Sequence, residues 1–203
     1  MRTKTIICVL VVSLFLLLPE ANAFRFSVGG FGGLNYPVAQ KDAKKGSLYG
    51  LKARIPFLSF LAVEPNFTHL KNGDGEVQVG EPWNTTMTHE GGKYSSFGAD
   101  LAFGGVSGYS GFHAFGIVGI ASSKFEKKGI PDLTKSSYWF GLGLEFSFAD
   151  KVSLEVRGKT LVFPYSESVT AASGGVQPSG TGSRKNGVIT FGINIYLGSE
   201  GGK

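Results

Sequence analysis

The chain has almost no cysteine: a single residue, Cys8, in 203. It lies within residues 5–18 (TIICVLVVSLFLLL), the longest apolar run. That run is too short to span a bilayer as a helix, which takes about 20 residues. Arg2 and Lys4 precede the run, Pro19 and Glu20 break it, and Ala21-Asn22-Ala23 supplies a small-x-small cleavage pattern. Residues 1–23 therefore read as a cleaved export signal, and residues 24–203 as one domain. Without Cys8 the mature part has no disulfide, thiolate metal site or cysteine nucleophile. Histidine is scarce as well, with only His69, His89 and His113. Two histidines twenty residues apart do not define a metal site. The net charge is a mild +5 without basic clustering, which argues against a nucleic-acid groove. No segment after Ala23 shows a helical period.

Glycine and phenylalanine are abundant, at 31 and 17 residues, and every glycine lies beyond residue 23. Eight segments alternate with period two: 24–35, 48–55, 60–69, 94–103, 112–121, 138–148, 152–162 and 188–197. In 138–148 one face is Tyr138, Phe140, Leu142, Leu144, Phe146 and Phe148, and the other is Trp139, Gly141, Gly143, Glu145 and Ser147. Segment 112–121 is apolar on both faces, so its phase stays open. The connections run 12, 4, 24, 8, 16, 3 and 25 residues, long and short in turn. Long loops at one rim and short turns at the other are the habit of outer-membrane barrels. The expected fold is all-β, a closed eight-stranded antiparallel up-and-down transmembrane barrel. A soluble lipocalin-like barrel is the rival, but it has no reason to place every long loop at one end.

The polar faces carry Arg25, Lys52, Arg54, Arg157 and Lys159 with Glu64, Asp100, Glu145 and Glu155. An eight-stranded barrel is filled by side chains, and buried charges must be paired. These nine residues are expected to form a structural interior network. A three-residue turn Ala149-Asp150-Lys151 pairs Phe148 with Val152 and sets Glu145 opposite Glu155. That arrangement needs a cation between the carboxylates, from Arg157, Arg54 or Lys52; a five-residue turn sets Glu155 against Gly143 instead. Pro65 implies a bulge or a lost ladder bond.

Residues 140–160 (FGLGLEFSFADKVSLEVRGKT) resemble the penultimate hairpin of the small outer-membrane barrels that include outer membrane protein X, Ail-type adhesins and opacity-type porin-like proteins. The likeness rests on Gly141, Gly143, Glu145, Ala149-Asp150-Lys151, Glu155 and Arg157. It implies a non-enzymatic barrel in a bacterial outer membrane, a monomer contacting lipid, with a structural or adhesion-like role. A host or surface ligand would meet the outside loops, the fourth (Ser173 to Asn186) among them. No catalytic residue, metal, cofactor or nucleic acid is expected. The alternatives are minor porin-like passage of small solutes and a lipid-modifying barrel enzyme. The enzyme needs a serine within reach of a histidine, and no His-x-Ser motif occurs: the residues two beyond the histidines are Lys71, Gly91 and Phe115.

Overall fold

A computed structural model describes residues 26–38, 43–79, 85–89, 91–105, 111–128, 130–149, 151–166 and 181–197. The expected export signal and Arg25 lie outside the described residues. The strands are β1 (Phe26–Val38), β2 (Ala43–Leu58), β3 (Leu61–Val79), β4 (Thr85–His89), β5 (Lys93–Gly104), β6 (Gly111–Lys127), β7 (Ile130–Ala149), β8 (Val152–Ser166) and β9 (Thr181–Leu197). All neighbouring strands run antiparallel, and the sheet closes where β1 and β9 pair and β2 meets β3. Eight strands form the barrel. β4 pairs only with the far end of β3, Gly75 to Val79.

Alternation along each strand sends one set of side chains outward and the other in. Leu144 is 46% exposed and Val156 40%, whereas their neighbours Glu145 and Arg157 are 1% and 4% exposed. The open phase of 112–121 resolves the same way. Phe112, Val118 and Ile120 point outward, while Phe115, Ile117 and Ala121 are buried. Glycines make room for large neighbours inside. A Cβ at Gly143 would lie 2.3 Å from the Phe115 ring, and one at Gly50 2.4 Å from Phe31. Small inward residues beside bulky ones are how a narrow barrel fills its bore.

The structure corrects several expectations. The strands outrun their alternating segments on the long-loop side: β3 reaches Val79, β6 reaches Lys127, and β7 begins at Ile130. The second long connection carries a strand of its own, β4. Asn186, expected in the fourth loop, is fully buried on β9. At the β7–β8 turn Glu145 does pair with Glu155, but Val152 pairs with Ala149 rather than Phe148, through a register shift after Ser147. A bulge and a tighter turn thus replace the plain three-residue loop. At Pro65 the outcome is a lost pairing. The β2–β3 ladder passes from Lys52–Asn66 to Ile55–Val63 with unchanged register, omitting the positions between. The Arg54–Glu64 ion pair, Nε to Oε1 at 2.5 Å, bridges that gap from inside.

Candidate functional site

Three strata fill the interior. The one toward the short turns is charged, with a small apolar cluster of Ala62, Ala102, Phe115 and Ile117 beside it. Arg54 on β2 donates from Nε to Glu64, from Nη1 to Glu145 and from Nη2 to Glu155 (2.8 Å). Arg157 on β8 donates to Glu155 and Glu64, its Nη2 lying 2.8 Å from each. Lys52 Nζ reaches both oxygens of Glu155 at 2.7 and 2.6 Å. Lys159 Nζ binds Asp100 Oδ2 at 2.8 Å and sits 4.7 Å from the centre of the Trp139 ring. Phe115 packs under both guanidiniums, at 4.9 and 5.2 Å. Tyr196 donates to Glu145 at 2.5 Å, and Ser153 and Asn194 hydrogen-bond to the same carboxylate.

Eight of the nine charged residues named from the sequence are thus buried and joined in one region, and Arg25 lies outside the described residues. Lys52, Arg54, Arg157 and Lys159 face Glu64, Asp100, Glu145 and Glu155, so cations and carboxylates are equal in number. Buried charges persist only when so paired and hydrogen-bonded. Tyr196, Asn194, Ser153 and Phe115 belong to the same region and were not singled out from the sequence. For Tyr196, Asn194 and Ser153 the signal available was their phase, since each stands on the polar-face register of its strand; Phe115 lies in 112–121, whose phase the sequence leaves open.

Above the charges lies an apolar stratum of Leu48, Leu70, Tyr94, Phe125, Trp139, Leu161, Phe163 and Val188, with Phe31 and Leu133 packed against it. With Phe31 counted, each of the eight barrel strands contributes. Tyr94 and Phe125 ring centres are 4.7 Å apart, and Tyr94 and Phe163 meet edge-on at 5.4 Å. The third stratum is an amide cluster: Asn186 donates to Asn35 at 2.7 Å and to Asn72 at 2.9 Å, and Asn72 donates to the Gly91 carbonyl at 3.0 Å. An interior void between Phe31, Lys52, Asn66, Asp100, Arg157, Lys159 and Thr190 holds about 10 Å³, room for a single water at most.

The outer surface carries one unforeseen pair. His69 Nδ1 and Ser95 Oγ lie 3.1 Å apart, on directly opposed residues of β3 and β5. A His-x-Ser motif does not reveal it, because the serine is 26 residues away on the neighbouring strand. No hydrogen bond joins the other ring nitrogen to a described residue. Both strands are also paired on both sides here, through Tyr49–His69 and Ser95–Lys124. Their amides are therefore engaged in ladders rather than aimed at an oxyanion.

No family model and no curated protein matches the chain. Solved structures do. Outer membrane protein OprG from Pseudomonas aeruginosa superposes with a TM-score of 0.56 at 12% identity, covering 86% of this chain and 96% of that one. Neisserial surface protein A gives 0.51 at 13%, with 86% and 97% covered. The N-terminal β-barrel domain of P. aeruginosa OprF gives 0.50 at 11%, with 85% and 97% covered. At such identities the likeness is one of fold, and the fold of this chain is that of the small eight-stranded barrels of bacterial outer membranes.

Proposed function

We propose that the chain is a monomeric bacterial outer-membrane protein. It is non-enzymatic, closed to solutes, and serves a structural or adhesion-like role through its long-loop rim. The observation that carries this reading is the inverted distribution of polarity. Among the described residues four ion-paired cations and four carboxylates lie inside, while Leu51, Phe97, Val118, Phe140, Leu142, Phe191 and Ile193 stand exposed outside. A soluble protein rarely exposes an apolar patch of more than a few hundred Å²; a lipid-facing band about 25 Å tall is what a membrane barrel presents. Tyr36, Tyr49 and Tyr138 lie exposed toward one edge of the band, and Phe60, Phe103, Phe112 and Phe148 toward the other. Aromatic girdles of this kind mark the two membrane interfaces.

The filled strata favour a closed barrel over porin-like passage, because all eight strands meet in the apolar layer. The long-loop rim, where β3 and β4 form a hairpin beyond the barrel body, is the surface left for partners. The test is a pull-down with the refolded, detergent-held barrel against extracellular-matrix components and lipopolysaccharide. Retention that falls when residues 167–180 are replaced by a short Gly/Ser linker supports the reading. Retention unchanged by that exchange would move the binding surface away from this rim.

A further inference from the structure

Outward rows stay free of charge across the apolar band, and on five strands the first charge above it is a lysine. These are Lys45 on β2, Lys71 on β3, Lys93 on β5, Lys124 on β6 and Lys185 on β9. At the opposite rim Lys151, in a turn, is the one lysine among the described residues. Lys71 and Lys93 are directly opposed across the β3–β5 ladder, a placement in which like charges repel. Glu126, registered opposite Lys93, is engaged by Lys124 at 2.5 Å, and Lys124 also holds Asp132 at 2.7 Å. One step toward the band lie His69 and Ser95, in contact with each other, and Tyr49, whose ring centre is 5.1 Å from that of His69. Four polar side chains thus form a square of two opposed pairs at the edge of an apolar band, and no ion pair joins either lysine to a carboxylate among the described residues.

We infer that Lys71, Lys93, His69 and Ser95 form a binding site for the phosphorylated headgroup of an outer-leaflet lipid. The inference rests on the membrane reading above. The chemistry is a phosphate between two ammonium groups that would otherwise repel, with hydroxyl and imidazole hydrogen bonds available below. The lipid's acyl chains would run down the outward faces of Phe67 and Phe97, the next residues along the two strands and both exposed. Long lysine stems suit this depth, since they lie along apolar surface while the ammonium reaches the headgroup level.

The experiment uses the full mature barrel in phosphatidylcholine vesicles doped with phosphatidic acid, and native mass spectrometry to count retained lipid. The wild type should keep phosphatidic acid in preference to phosphatidylcholine. K71Q and K93Q should each lower that occupancy about fivefold, the worth of one lysine near an anionic surface. K71R/K93R should retain it and K151Q should leave it unchanged. Gel mobility without boiling checks that every variant is folded. Equal occupancy in wild type and K71Q/K93Q overturns the site, as does displacement by free inorganic phosphate. Release of lyso-lipid that is lost in S95A would overturn a holding role and make the pair catalytic. A wild type that inserts but shows no preference sinks this inference alone, whereas failure to insert sinks the membrane reading with it.

Discussion

Glu145 and Glu155 stand directly opposite each other across β7 and β8, both buried, and Arg54 from β2 on the far wall binds them both. Opposed like charges destabilise a sheet, so this hairpin register depends on a side chain contributed about a hundred residues earlier. Arg157 and Lys52 add to the neutralisation at Glu155, while Ser153, Tyr196 and Asn194 hydrogen-bond to Glu145.

Removing that central cation should therefore be costly. Arg54→Met leaves Glu64, Glu145 and Glu155 short of a partner, and a broken buried network of this kind costs about 3–5 kcal/mol. Urea titration of the folded barrel, followed by unboiled gel mobility, reads the loss. Adding Glu145→Gln should recover part of it. A single variant as stable as the wild type would show that the network carries no weight.

The two faces should respond differently to substitution. Leu144→Arg or Val156→Arg places a charge in the band at mid-depth, for a loss of about 2–4 kcal/mol. An inward polar exchange such as Thr190→Ser should cost much less. Equal losses on both faces would refute a lipid-facing exterior.

Conductance tests the seal. Planar-bilayer recordings of the refolded protein should show no large, stable steps, because the Tyr94, Phe125, Trp139 and Phe163 layer spans the bore. Phe163→Ala should cost about 3–5 kcal/mol as a cavity in that layer. Porin-like steps from the wild type would promote solute passage to the leading function.

Cell fractionation tests location. The mature protein should co-sediment with outer membranes and migrate faster unboiled than boiled. Recovery in the soluble periplasm would rule out the membrane role.

The faces of the barrel were legible because the pleat alternates strictly and the outward face is apolar while the inward one is mostly polar. Leu144 beside Glu145 is enough to set a phase. Above the band the outward face turns polar while the inward face still packs the bore with mixed groups such as Asn72, Ser123 and Phe125, so alternation fades while pairing continues. Leu70–Val79, Ser122–Lys127 and Ile130–Ser137 therefore read as loops although they are strands. Segment 112–121 hid its phase for the opposite reason: Phe115 and Ile117 fill the bore beside glycines, making the inward face as apolar as the outward one. Contacts set by register alone, such as His69 with Ser95, leave no local mark. The β7–β8 bulge likewise turns on one residue of slip that the composition of the turn does not encode.

The reach of Arg54 along the chain has a kinetic consequence. Its partners Glu145 and Glu155 lie 91 and 101 positions away, on strands that face it only once the sheet has curled shut. An open sheet in lipid would leave these ionised groups without counterions, where hydrocarbon offers no solvation. Long-range pairings also form late, because the loops that join them must close first. Half-closed intermediates are thus penalised twice, and the final zippering of β1 onto β9 should proceed as one concerted step, with the charged filling as its latch.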